Sequence, residues 1–350
     1  LYRFWARLDV AATLLFILLL LAALGSCLPQ ISPSAAADAD RLAEWEVATR
    51  AKYGALAGLL TTGRASYFRS SVFVLPILLL AVATLVCTLD RWRRVWRRAF
   101  HTPVRCPDSV FETASHAVEL TVDSTVDASH LLGEALEQRG FRVRFESMET
   151  ALHLRGDRNR LAPLATLVTH LAVLLLLLGA ALTSGRGWRE EITIGPGQSA
   201  GIGRGGGLAL RNEGFTVTRY ADGSASGYEA QVVVVEGDQD VKRGHVRLNE
   251  PLVYNDIGFT LQSYQATGDE YTVTLLAVRD PGLGLVVGAG FLLLLGLTVS
   301  FNFPHCRVYA QAQAEPEGRV RVIGRAGRQA PDFGREFAAL AAELEQAIGR

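Results

Sequence analysis

The sequence predicts an integral membrane protein with four transmembrane helices, a small cytoplasmic β-α-β-β unit and an extracytoplasmic β-rich domain. Three observations carry this reading. Apolar runs at residues 10–28, 72–89, 161–184 and 282–301 are each about as long as a helix needs to cross a hydrocarbon core of about 30 Å. An arginine-rich stretch after the second run marks the cytoplasmic side, where membrane proteins concentrate Lys and Arg. Between the runs the apolar spacing switches between helical and strand periods.

Composition narrows the function. The 350 residues carry a formal net charge of zero, without the basic surplus of a nucleic-acid binder. The four cysteines, Cys27, Cys87, Cys106 and Cys306, show no CxxC spacing. That argues against a disulfide framework and a structural zinc site, and gives the chain no dithiol with which to reduce another protein.

Residues 1–28 hold a short tail and helix one, with Arg3, Arg7, Tyr2, Phe4 and Trp5 at the cytoplasmic entry. Leu24-Gly25-Ser26-Cys27 faintly resembles a lipoprotein cleavage box. The run nevertheless has full transmembrane length and three more follow, so it reads as an uncleaved helix that Pro29 helps to stop. Residues 29–71 form the first extracytoplasmic segment, with an interfacial helix expected over 38–53. Helix two, 72–89, admits Pro76 in its first turns. It exits into Arg91, Arg93, Arg94, Arg97 and Arg98, which place residues 90–160 in the cytoplasm and suit contact with anionic lipid head groups or haem propionates.

The cytoplasmic segment alternates at Val118, Leu120 and Val122, turns helical at Leu131, Leu132, Ala135 and Leu136, and alternates again at Phe141, Val143 and Phe145, then at Leu152 and Leu154. Gly140 fits a helix C-cap. About 40 residues make a thin core, so this unit is expected to pack on the membrane helices or a partner. His116, His130 and His153 lack metal-ligand spacing and read as solvent-facing or edge residues.

Helix three, 161–184, contains one titratable residue, His170. A histidine within hydrocarbon needs a partner. It either bonds a neighbouring helix, ligates a metal or haem iron, or relays protons. Residues 185–281 form the extracytoplasmic domain, with strands expected at 191–194, 208–210, 215–220, 228–235, 245–248, 259–264 and 271–278 in a sandwich or partly closed sheet. The glycine-rich stretch 195–207 lacks the lysine and Ser/Thr of a phosphate-binding loop and reads as a mobile turn. Helix four, 282–303, offers Gly284 and Gly288 as a close-packing step. His305 then caps that helix or accepts a ligand. The cytoplasmic tail, 304–350, reads as turn-rich and basic to Arg328. Phe333, Phe337, Leu340, Leu344 and Ile348 then mark an amphipathic helix, lying on the membrane or docked on the cytoplasmic unit.

Several of these stretches together resemble the ResB-like, or CcsB-type, family of System II cytochrome c biogenesis proteins. They are Gly25-Ser26-Cys27-Leu28-Pro29-Gln30, with Ser26 where the family usually has Thr, Phe68-Arg69-Ser70, Cys87-Thr88-Leu89-Asp90-Arg91, the histidine helix around His170, Asn249-Glu250-Pro251-Leu252, Gln262-Ser263-Tyr264, and Pro304-His305. The resemblance implies an accessory membrane subunit of a haem export and ligation complex in the bacterial plasma membrane, with both termini cytoplasmic. Haem would be the transferred substrate and His170 its metal ligand, with His305 and Cys87 as further haem-contacting residues. Cys87 otherwise reads as a buried, inert small side chain. The implied partners are a CcsA/ResC-type membrane protein, reduced CxxCH apocytochrome c and a separate extracytoplasmic thiol-reducing protein. Trp5, Trp45, Trp92, Trp96 and Trp188 are scattered, so the tryptophan-rich lyase centre would belong to the partner. The alternative is a non-catalytic scaffold that stabilises the haem-bearing partner and holds no haem ligand of its own. A coupled transporter would need more buried polar groups.

Overall fold

The computed structural model describes residues 2–27, 31, 39–54, 67–101, 103–148, 151–267, 270–313, 318–327 and 330–348. Its helices are α1 (Tyr2–Trp5), α2 (Leu8–Cys27), α3 (Ala39–Tyr53), α4 (Ser71–Phe100), α5 (Asp108–Glu112), α6 (Thr125–Gln138), α7 (Leu164–Arg186), α8 (Leu283–Asn302) and α9 (Phe333–Ile348). Among the described residues, α2, α4, α7 and α8 are long and apolar enough to cross a membrane. The expected stop at Pro29 lies outside the described residues.

Two of these helices differ from the hydropathy reading. α4 does not end at Leu89 but continues through the arginines to Phe100, making it about 45 Å long. Trp92, Trp96 and Phe100 recur every four residues along this extension, with ring centroids 5.7 and 4.4 Å apart. That ladder supports a helix outside the apolar run. α7 begins at Leu164 rather than at 161, because Asn159 takes a left-handed conformation (φ 57°) and residues 160–163 turn.

The chain divides into two compact units, one of residues 1–8, 82–174 and 289–350, the other of residues 9–81 and 175–288. The first is built on a five-stranded antiparallel sheet of order β1-β13-β12-β3-β2. Its strands are β1 (His116–Thr121), β2 (Arg142–Ser147), β3 (Leu152–Arg158), β12 (Cys306–Gln313) and β13 (Arg319–Ala326). The tail read as turn-rich therefore supplies two interior strands. The expected β-α-β-β core is completed by its own C-terminus.

One face of that sheet packs on α6 and α9 through Leu132, Leu136, Leu154, Val308, Val320, Val322, Phe333, Phe337, Leu340 and Leu344. The amphipathic tail helix thus docks on this unit. α6 is capped at its start by the Ser124 hydroxyl, which accepts from Asp127 N at 3.3 Å. It is closed at its end by Gly140 at φ 78°. The other face is also covered: Cys106 and Phe111 lie over Tyr309 and Ile323. His153, read as solvent-facing or at an edge, is consequently buried on that side at 4% exposure. Burial and the Arg105 charge lower its pKa below the ordinary histidine value.

The second unit contains two four-stranded antiparallel sheets, β4-β11-β10-β9 and β5-β6-β7-β8. Their strands are β4 (Trp188–Ile194), β5 (Ser199–Gly201), β6 (Leu208–Arg219), β7 (Ala225–Glu236), β8 (Gln239–Arg247), β9 (Leu252–Tyr254), β10 (Ile257–Thr267) and β11 (Glu270–Arg279). One core joins them, with Leu210, Val232, Val234 and Val246 facing Ile194, Phe259, Val273 and Leu275. Runs 208–210 and 215–220 are a single strand, bulged between Asn212 and Gly214. The buried Asn212 amide donates to the carbonyls of Ile194, Gly195 and Tyr271 at 3.2–3.5 Å, tying one sheet to the other. Part of the glycine-rich stretch is the strand β5, a correction to its reading as a turn alone. Asn255 and Asp256, both at positive φ, make the two-residue hairpin between β9 and β10.

Candidate functional site

The membrane histidine finds its partner on α4. His170 Nδ1 lies 3.0 Å from the Thr88 hydroxyl oxygen. That hydroxyl is also 2.6 Å from the Thr84 carbonyl, one turn earlier. A hydroxyl has one proton, and the carbonyl can only accept it. With that proton on Thr84, the Thr88 oxygen accepts from His170 Nδ1–H, and in the neutral ring the lone pair is then on Nε2. This is the neutral tautomer that binds a metal through Nε2, with the other nitrogen anchored by a neighbouring oxygen.

The backbone of α8 closes on the same turn of α7. A Cβ at Gly296 would sit 2.6 Å from Thr169 Cγ2 and 3.2 Å from the Ala165 carbonyl oxygen. Further along in the second unit, Gly282 meets Gly179, where any Cβ would overlap the Gly179 carbonyl. There Asp280 accepts from the Thr183 hydroxyl at 2.5 Å and from Gly282 N at 3.1 Å. The close-packing glycines of helix four are thus Gly282 and Gly296. Gly284 and Gly288, expected in that role, face no neighbour within 4 Å, so the correction is one of helix face.

His305 stands elsewhere, on the buried polar face of β3. Its Nε2 is 3.1 Å from Asp157 Oδ1. Arg155 grips the same carboxylate with two bonds, 2.6 Å from Nε and 2.8 Å from Nη2. Arg155 also donates to the Pro103 carbonyl at 2.9 Å and lies over the Tyr309 ring at 5.1 Å. Burial alone would push the Asp157 carboxyl up. Hydrogen bonds from His305 and Arg155, with the Arg155 charge, hold it well below the ordinary carboxylate range instead. The His305 ring is therefore engaged with a carboxylate and not with the C-terminal carbonyls of α8.

Cys87 is buried in α4, one residue before Thr88 and so about 100° around the helix from it. The residue that meets His170 is Thr88. All four cysteines are free thiols, three of them buried. Burial pushes the Cys106 and Cys306 thiols up, which makes them poor nucleophiles. Among the described residues, no group of three or more His, Cys, Asp or Glu is placed to hold a metal ion.

The remaining family-like segments lie in the second unit. Asn249 takes φ 64° in the turn after β8, where Arg247 and Glu250 bridge, and Leu252 packs inward. Tyr264 joins Phe215, Tyr228 and Tyr271 in an aromatic cluster with centroid separations of 4.8–6.5 Å.

Sequence reasoning missed Thr88 as a partner, and it missed the Arg155–Asp157 pair. A hydroxyl at the end of an apolar run was the available signal for the first. Charges at alternate positions of β3, opposite Leu152 and Leu154, were the signal for the second.

Four helices able to cross a membrane, with β-rich segments between and after them, give the class: a membrane protein with β-rich domains. The chain belongs to the ResB-like family, whose model matches residues 8–278 and 269–338. Its similar relatives include cytochrome c biogenesis protein CcsB of Synechococcus sp. (strain WH7803), 31% identical over 227 residues covering 62% of this chain and 49% of that protein. CcsB of Synechococcus sp. (strain CC9902) is 29% identical over 289 residues, covering 80% of this chain and 63% of that protein. The matches span about half to three-fifths of these relatives. Among solved structures, cytochrome c heme lyase CcmF aligns with 73% of this chain and 44% of its own at 12% identity and a TM-score of 0.34. That likeness is too low to establish a common fold.

Proposed function

We propose that this chain is an accessory membrane subunit of cytochrome c maturation, which takes haem as cargo at His170 and passes it to a CcsA/ResC-type partner for attachment to reduced CxxCH apocytochrome c. The single observation that carries the proposal is the His170–Thr88 hydrogen bond, which leaves Nε2 free to ligate. The donor set fits one axial bond to haem iron, with the second ligand coming from the partner or from a different conformation of His305. Cys87 would line the approach as a small apolar side chain. The relatives' printed role in cytochrome c biogenesis supports this reading.

We place the first unit's sheet and both termini in the cytoplasm of a plasma-membrane protein, and the β-sandwich outside. The run of arginines at the end of α4 supports that orientation. Pairing of β12 with β3 adds support, since it needs both segments on one side of the bilayer and an even number of crossings between them. A separate extracytoplasmic thiol-reducing protein would keep the apocytochrome reduced.

A scaffold without haem is the second reading, favoured by the same hydrogen bond, which already satisfies one ring nitrogen. The test is an absorption spectrum of the chain purified with its partner, beside His170→Ala and His170→Gly with and without imidazole. Loss of the haem Soret band, restored by imidazole, is the expected result. An unchanged spectrum with intact cytochrome c maturation refutes the ligand role and leaves the scaffold.

A further inference from the structure

An open cleft of ≈ 510 Å³ lies in the first unit where the sheet meets the ends of α7 and α8. Its lining divides into two halves. Leu161, Ala162, Val299 and Phe303 supply an apolar floor, and Leu161 and Phe303 remain about half exposed. Arg142 and Arg160 supply the polar rim. Among the described residues neither guanidinium has a hydrogen-bond or ion-pair partner. The carboxylate in the lining, Asp157, is already neutralised by the two-pronged bond from Arg155. The rim therefore presents two uncompensated positive charges above an apolar floor at the end of two membrane-spanning helices.

We propose that this cleft binds the head group of an anionic phospholipid, with the acyl chains lying along Val299 and Phe303. Charge and position select that occupant. Two guanidiniums match a phosphodiester, and donors of this kind grip phosphate oxygens in pairs. Basic pockets between membrane helices are suited to acidic lipid head groups. A porphyrin would also bring anionic groups, but none of the nine lining residues is a His, Cys, Met or Tyr able to hold its iron. None of the arginines of α4 lines the cleft.

The experiment uses the full chain in neutral detergent, stripped of lipid and titrated with phosphatidylglycerol or phosphatidylcholine, with bound lipid counted by native mass spectrometry. At about fivefold per arginine, one phosphatidylglycerol should be held about twenty-fivefold more tightly than phosphatidylcholine. Arg142→Gln with Arg160→Gln should abolish that preference at unchanged melting temperature. Arg93→Gln with Arg97→Gln should retain it. The proposal is overturned if the wild type shows no head-group preference or if the glutamine pair keeps it. It is equally overturned if soluble glycerol phosphate or haem displaces the lipid at equal concentration, since the cleft would then take a free phosphate or a porphyrin.

Discussion

Replacing Thr88 by valine removes one oxygen and keeps the shape. In the structure that oxygen is the acceptor for His170 Nδ1–H at 3.0 Å, and its own proton is held by Thr84. Without it the Nδ1–H faces an apolar surrounding, at a cost of about 1–3 kcal/mol for an unsatisfied buried donor. The ring escapes that cost by rotating or by moving its proton, and either change spoils Nε2 as a ligand. Loss of an orienting partner behind a metal-bound histidine typically weakens metal affinity about 10–100-fold, or about 1.4–2.7 kcal/mol. Thr88→Val should therefore weaken haem binding by that factor, whereas Thr88→Ser should stay near wild type. The assay is a Soret titration of the purified chain with haem. It is paired with nitrogen-15 NMR of the His170 ring without haem, where Thr88→Val should lose the single Nδ1–H tautomer. Haem affinity unchanged in Thr88→Val but lost in His170→Ala would refute the orienting role of Thr88.

Three further outcomes follow from the geometry. Asp157→Asn should cost about 3–5 kcal/mol of unfolding free energy, because Arg155 is left buried without its counter-charge; chemical denaturation in detergent would read it, and a loss under about 0.5 kcal/mol would contradict it. His153, its pKa lowered by burial and by the Arg105 charge, binds its proton less readily in the folded chain than in the unfolded one. Stability should thus rise with pH toward about 6.5 and level off above it, and His153→Gln should flatten that slope in melting curves. Gly296→Val, meeting Thr169 at the turn before His170, should force α8 off α7 and lower the melting temperature measurably, while Gly288→Ala, with open space beside it, should leave the isolated chain unchanged.

Much of this organisation was legible because it is local. Hydropathy found the four spanning helices, and period-two alternation found the longer strands of the β-sandwich. A lone histidine in a leucine-rich run singled out His170. What stayed hidden depends on which distant residue covers which face. Thr88 looks like any threonine in an apolar helix until α7 is set beside α4. Strand β3 reads Leu-His-Leu-Arg-Gly-Asp-Arg, a pattern that suggests a wet face opposite the leucines. Residues 103–111 cover that face and force Arg155 and Asp157 to neutralise one another. The tail strands were missed for a related reason: alanines at 310 and 312 give a weak alternation, and their burial comes from neighbours far away in sequence. The glycines of α8 show the same limit, since small residues on two faces look alike until one face is occupied.

The order of strands in the first sheet carries a consequence for biosynthesis. β12 and β13 lie between β1 and β3, and β12 meets β3 across a gap of 148 residues at Cys306 and Arg158. A ribosome therefore releases β1, β2 and β3 long before the strands that join them exist. Until β12, β13 and α9 have been made, β1 and β3 offer bare edges, and the apolar side of α6 has no α9 against it. Closing such a long loop is slow compared with local helix formation. The sheet thus matures only after α7 and α8 have been made, and a product truncated before β12 would keep sticky edges for quality-control proteases to find.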